Sequence, residues 1–143
     1  MVSPGGISGT GENTRKRVLF VCIGNSCRSQ MAEAFARAYG SDVLEARSAG
    51  LAPAMIVAPL TRQMLAERNI SAEDLFPKGL ELLIGESFDV VVNLSGYPIA
   101  VAAPRQLVWE VTDPIGLSET IYREVAARIE SLVMGLILEL RQS

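Results

Sequence analysis

Apolar and polar positions fall into blocks along this 143-residue chain, and the rhythm within each block separates strands from helices. The run Val18-Leu19-Phe20-Val21 is short, unbroken and rich in β-branched and aromatic residues, so it predicts a strand over about Arg17–Cys22. Met31, Ala34, Phe35 and Ala38 then recur at i, i+3, i+4 and i+7, one buried face of a helix over about Ser26–Tyr39 that Gly40 ends. A second strand is predicted near Val43–Ser48. A helix follows near Pro59–Arg68, opened by Pro59 and turning Leu60, Met64 and Leu65 inward. A short helix is expected around Lys78–Leu83. The third strand, Asp89–Leu94, is almost wholly apolar, as suits a central parallel strand. A brief helix at Ile99–Ala103 and a fourth strand at about Gln106–Val111 complete the middle of the chain.

The last helix is predicted over roughly Ser118–Arg141. Ile121, Val125, Ile129, Leu132, Val133 and Leu136 form its stripe, and Met134, Ile137 and Leu138 widen that stripe. Core packing is the default reading of this face, with a weak homodimer surface as the alternative. Strand–helix alternation predicts an α/β three-layer sandwich, a parallel sheet with helices on both faces. One domain is expected over residues 15–143. Residues 1–14 are polar, rich in Gly and Ser and without an apolar centre, so they read as a disordered tail and not as a signal peptide.

Composition narrows the field. Apolar residues make up 49% and charged residues 20%, an ordinary globular balance. A net charge of −3 argues against nucleic acid as the partner, so an anionic ligand must be captured by locally positive groups. Arg15-Lys16-Arg17 is the only basic run and reads as a solvated lead-in to the first strand. The longest apolar run, Leu132 to Leu138, falls far short of the ~18 residues of a membrane span. With no histidine, a Cys–His dyad cannot form, and two cysteines alone make a poor zinc site; no metal and no cofactor is expected. A nucleophile that must stay reduced, with no secretory signal, indicates the cytoplasm.

The chemistry sits in Cys22-Ile23-Gly24-Asn25-Ser26-Cys27-Arg28-Ser29, between the first strand and its helix. A thiol there faces outward-pointing N–H groups and a helix dipole, which with a nearby guanidinium favour the nucleophilic thiolate. Ile23, Gly24, Asn25, Ser26, Cys27 and Arg28 would cradle a tetrahedral oxyanion, Arg28 supplying a planar two-pronged donor. Gly24 permits close backbone approach, and Asn25 tolerates the left-handed region. Ser29 is placed to donate to the sulfur, and Ser26 or Ser29 to cap the helix. The bland alternative is a buried structural thiol beside a solvated arginine. Asp113, in Thr112-Asp113-Pro114 just past the fourth strand, would leave the same carboxyl edge of the sheet and is the candidate acid. Its bland alternative is to cap a helix starting near Pro114. No G-x-x-x-x-G-K-[ST] loop occurs, and Gly5, Gly6, Gly9 and Gly11 lie in the tail.

From Val18 to Glu33 the chain resembles the low-molecular-weight protein tyrosine phosphatases, and most nearly their arsenate-reductase-like branch. The resemblance continues through Ser48-Ala49-Gly50, Phe88-Asp89-Val90-Val91-Val92 and Trp109-x-x-x-Asp113-Pro114. It implies four strands in the order 2-1-3-4. It implies Cys22 as nucleophile, Arg28 as oxyanion ligand, and Asp113 as general acid and then base. It also implies a Ser48–Asn25 hydrogen bond and a protective, reversible Cys22–Cys27 disulfide. Three features depart from the family. Only two cysteines are present, so a three-cysteine relay is impossible. Ser95 stands where phosphatases hold the catalytic arginine with an aspartate and where the reductases carry a resolving cysteine; a serine could accept one hydrogen bond but supplies no charge. Ile115 follows Pro114 where tyrosines are common, leaving Leu51, Met55, Ile56 and Tyr97 as candidate apolar walls.

These features support a phosphomonoester hydrolase first, acting on a phosphorylated protein or a small phosphomonoester through a cysteinyl-phosphate. An arsenate reductase using an external thiol is the alternative. A non-catalytic oxyanion-binding or redox-sensing module is the third reading. A monomer or weak homodimer is expected, with neither nucleic acid nor membrane as partner.

Overall fold

The computed structural model describes residues 15–142, so the tail assigned to residues 1–14 lies outside the described residues. Four strands, β1 (Lys16–Cys22), β2 (Leu44–Gly50), β3 (Val90–Asn93) and β4 (Arg105–Val108), form one parallel sheet in the order β2-β1-β3-β4. Helices α1 (Arg28–Gly40), α2 (Pro59–Ala66) and α3 (Glu119–Gln142) and a 3-10 turn at Leu80–Leu83 complete the three-layer sandwich.

The unbroken apolar run of β1 is what a strand between two neighbours requires. Val18, Phe20 and Cys22 point to the layer holding Met31, Phe35, Met64, Leu65, Ile129 and Val133, where α1, α2 and α3 pack. Leu19 and Val21 point the other way, to Ala49, Leu83, Phe88 and Val91. The stripe of α3 is mostly core: Ile137 is fully buried against Gly40, Met134 packs partly beneath the surface, and Leu138 is exposed. No helix among the described residues is long and apolar enough to cross a membrane.

Three expectations about elements are corrected. Ile99–Ala103 is not helical. Ile99, Val101 and Ala103 instead pack on the second face of the sheet at every other residue, the spacing of extended chain. The fourth strand ends at Val108 rather than Val111, because its partner β3 ends at Asn93, opposite Val108. No helix starts near Pro114; α3 begins at Glu119, after Ser118 Oγ accepts from the Ile121 N–H at 3.3 Å.

Candidate active site

The loop from Cys22 to Cys27 runs from the carboxyl end of β1 to the start of α1. Its carbonyls are all turned away from the centre. Those of Cys22, Ile23 and Gly24 accept from the N–H groups of Leu51 (3.0 Å), Ala52 (2.8 Å) and Ala54 (2.9 Å). The Ser26 carbonyl accepts from Ala58 N (3.1 Å) and Thr61 Oγ1 (3.0 Å), and the Cys27 carbonyl from Met31 N (2.9 Å). In a trans peptide the N–H points opposite the C=O, so the N–H groups of Ile23, Gly24, Asn25 and Cys27 face inward. The arrangement has the geometry of an anion cradle built from backbone, with the thiol at its base and a helix N-terminus behind it.

Cys22, Ile23, Gly24, Ser26, Cys27, Arg28, Ala54, Asp113 and Ile115 line a cavity of about 220 Å³. Arg28 is 5% exposed, and one arm of its fork donates to the Leu94 carbonyl at 2.6 Å and the Val111 carbonyl at 3.2 Å. Its other arm faces Asp113 Oδ2 at 3.6 Å. The ends of β3 and the segment after β4 therefore aim the guanidinium, and Val111 spends its carbonyl on Arg28 rather than on a neighbouring strand. Asp113 is about half exposed, with Oδ1 accepting from the Ile115 N–H at 3.2 Å, an Asx turn in place of a helix cap.

The sulfur is held from behind. Ser29 Oγ lies 2.8 Å from Cys22 Sγ. Asn25, at φ +49°, donates from Nδ2 to Ser29 Oγ (2.7 Å) and to Ser48 Oγ (3.0 Å). Since Ser29 Oγ accepts from Asn25, its own proton is free for the sulfur. Ser48 in turn donates to the buried carboxylate of Glu33, which also pairs with Arg37 and lies 3.7 Å from Lys78 Nζ. Burial pulls the Lys78 ammonium down from its usual range, against the pull of Glu33.

Cys27 is buried behind the loop, beside the pair formed by Thr61 Oγ1 and Tyr122 OH at 2.7 Å. Burial pushes its thiol up to about 12. Both cysteines are free thiols.

The structure thus brings Cys22, Arg28, Asp113, the loop residues and Ser29 together, with Ser48 one hydrogen bond behind. It departs from the sequence reading at three points. Neither Ser26 nor Ser29 caps α1, whose N-cap is Cys27 with no side-chain bond; Ser26 Oγ instead accepts from Ala58 N at 3.1 Å. Ser95 does not touch Arg28: its hydroxyl donates to Asn93 Oδ1 (2.6 Å) and lies 3.1 Å from the Tyr97 carbonyl. The cavity walls are Ala54 and Ile115, whereas Leu51, Met55, Ile56 and Tyr97 lie outside it. Sequence reasoning also gave no role to Gln30, Glu33, Lys78, Thr61 or Tyr122. For Gln30 and Glu33, both in α1, a signal existed: with Ser29 they are polar residues set among the buried Met31, Ala32, Ala34, Phe35 and Ala36.

The model of the family described as "Low molecular weight phosphotyrosine protein phosphatase" matches residues 17–143. The chain is 33% identical to the "Glutaredoxin arsenate reductase" of Synechocystis sp., over 87% of this chain and 98% of that protein. It is 32% identical to "Arsenate reductase 1" of Bacillus cereus, over 81% of this chain and 92% of that one. Among solved structures, an arsenate reductase in the phosphate-binding state matches with a TM-score of 0.79 at 32% identity, over 87% of this chain and 98% of that one. A low molecular weight protein tyrosine phosphatase from T. tengcongensis matches with a TM-score of 0.69 at 31% identity, over 87% and 99%.

Proposed function

This chain belongs to the low molecular weight phosphotyrosine protein phosphatase family, and within it we propose an arsenate reductase that draws its electrons from a thiol outside the chain. Its chemistry is the cysteine-based phosphatase and reductase chemistry of that superfamily. The sequence placed a phosphomonoester hydrolase first; the relatives reverse that order. The observation that carries the reading is similarity to arsenate reductases over almost their whole length, as with the Synechocystis protein. The cavity supports it. At about 220 Å³, with Ala54 and Ile115 as walls and no aromatic ring in its lining, it fits a bare tetrahedral oxyanion and offers a phosphotyrosine ring nothing to stack on.

Arsenate enters with its oxygens on the loop N–H groups and on Arg28. The Cys22 thiolate, steadied by Ser29, attacks arsenic in line and forms the S–As bond. Asp113 gives its proton to the departing oxygen, which leaves as water. Arsenic is still As(V). An external thiolate then attacks Cys22 Sγ. An S–S bond forms, the S–As bond breaks with its electron pair on arsenic, and arsenite, As(III), departs. A second external thiol reduces the mixed disulfide and restores Cys22. Two thiols lose two electrons and arsenic gains them. Cys27 is a poor substitute for the external thiol, because a thiol pushed up to about 12 holds its proton at neutral pH.

The test is arsenate-dependent NADPH oxidation coupled through glutathione, a glutaredoxin and glutathione reductase. Turnover that disappears in Cys22→Ser is expected. Hydrolysis of para-nitrophenyl phosphate with no arsenate turnover would return the chain to the phosphatase reading.

A further inference from the structure

We propose that Gln30 is a positioning residue that sets the direction of the hydrogen-bond chain ending on the Cys22 sulfur. The inference rests on Cys22 being the nucleophile of the proposed site. It does not depend on which oxyanion that site turns over.

Gln30 is fully buried in the first turn of α1. Its Nε2 has three neighbours, and all are acceptors: the Asn25 carbonyl at 3.1 Å, Asn25 Oδ1 at 2.9 Å and the Phe76 carbonyl at 2.8 Å. The opposite orientation of the amide would set its oxygen against three oxygens, so the chemistry of the neighbours fixes the donor end. The other end, Oε1, is buried with no hydrogen-bond partner among the described residues. A buried acceptor without a partner is costly. The side chain is therefore useful for what its nitrogen holds.

It holds two things. The carbonyls of Cys22, Ile23, Gly24, Ser26 and Cys27 accept from backbone N–H groups; the Asn25 carbonyl accepts from Gln30 instead. With this carbonyl turned outward, the Ser26 N–H turns toward the cavity and joins the cradle. Gln30 also shares Asn25 Oδ1 with the Lys78 N–H, at 3.0 Å. With Oδ1 occupied by two donors, Nδ2 must point at Ser29 and Ser48. Ser29 then accepts from Asn25 and donates to the sulfur. Ser48 is forced into the same polarity, because its proton goes to the Glu33 carboxylate. Without Gln30, Asn25 Oδ1 loses one of its two donors and the Lys78 N–H alone is left on it, so reversal of the Asn25 amide becomes easier. Its oxygen would then take the Ser29 proton and leave the sulfur without a donor.

The experiment reads the sulfur directly. Alkylation of Cys22 by iodoacetamide is followed by mass spectrometry across pH, for the full chain as wild type, Gln30→Leu, Ser29→Ala and the double variant. Hydrogen bonds to charged groups are strong enough that losing the Ser29 donor should raise the pH of half-maximal alkylation by ~1 unit. Gln30→Leu should produce a shift of the same size, and the double variant no more than Ser29→Ala alone. An unchanged midpoint in Gln30→Leu, or a shift that adds in full to that of Ser29→Ala, overturns the proposal and leaves Gln30 a packing role. If Gln30→Leu does not fold, Gln30→Glu keeps the shape, presents an acceptor where the donor was, and must show the same midpoint shift. Arsenate turnover is measured on the same wild-type preparation. Its absence alongside the expected midpoint shifts sinks the reductase reading and leaves this one standing.

Discussion

Cys27 occupies the N-cap of α1, where the helix dipole favours an anion, yet its thiol is pushed up to about 12. Burial wins because Cys27 is 3% exposed and packed in the main core, where desolvation disfavours the thiolate. The folded chain binds this proton more tightly than the unfolded chain, whose cysteine titrates near 9. The contribution to stability is therefore complete below about pH 9 and is lost as pH rises from 9 toward 12. The melting temperature of wild type should fall over that window, and Cys27→Ala should flatten the fall, with Tyr122, also raised by burial, carrying the rest. Parallel pH–melting curves for the two proteins would remove this role from Cys27. Asp113 faces the cavity beside Arg28 and is open to solvent, as the acid of the proposed reaction must be to exchange its proton. Asp113→Asn should lower kcat by ~10²–10⁴-fold with a smaller change in KM, measured in the coupled arsenate assay. Cys22 and Arg28 could be singled out by residue type and short spacing, and Asp113 by its Asp-Pro pair together with the family resemblance. Gln30 and Glu33 were not, because their partners Phe76 and Ser48 lie 46 and 15 residues away and meet them only in the fold.

At the scale of elements, the end of β2 shapes the loop from Cys22 to Cys27. A Cβ on Gly50 would stand 2.6 Å from the Ile23 carbonyl oxygen and 2.9 Å from the Asn25 nitrogen. Both are backbone atoms of the cradle, so the loop itself would have to move. Gly50→Ala should weaken phosphate or arsenate binding by at least ~10-fold and cost ~1–3 kcal/mol of stability. Gly40 is the control. A Cβ there meets the Ile137 side chain at 2.6 Å, at the contact of α1 with α3 and away from the cradle. Gly40→Ala should lower the melting temperature and leave the affinity for phosphate unchanged; calorimetry with titration of phosphate separates the two. A Gly50→Ala protein with wild-type affinity would show that the loop can retreat without loss. The sheet itself was readable in the apolar runs of β1 and β3, since central strands need both faces apolar. Segment 99–103 was not, because its alternating Ile99, Val101 and Ala103 were read as helix when the spacing of two belonged to extended chain. The β4 boundary depended on where β3 stopped, which is a fact about its partner and not about its own residues.

At the scale of the whole molecule, the proposed reduction turns on where two electrons come from. The chain carries two cysteines, and both are free thiols. A reduction completed within the chain would have to join Cys22 to Cys27. For that, Cys27 must give up a proton that burial holds to about 12, and its side chain must leave the core in which it is packed. An outside thiol meets no such barrier, because it arrives with the ionisation that solvent allows. Mixing the reduced chain with arsenate in the absence of any small thiol should therefore yield Cys22-bound arsenate and no arsenite above background. Adding glutathione and a glutaredoxin should then release arsenite in many turnovers. Arsenite is separated from arsenate by chromatography and counted per chain, and the protein is checked for a Cys22–Cys27 disulfide by mass spectrometry. A rapid burst approaching one arsenite per chain, with that disulfide formed, would mean that the fold lets Cys27 reach the nucleophile, and the external thiol would then serve only to reset the enzyme.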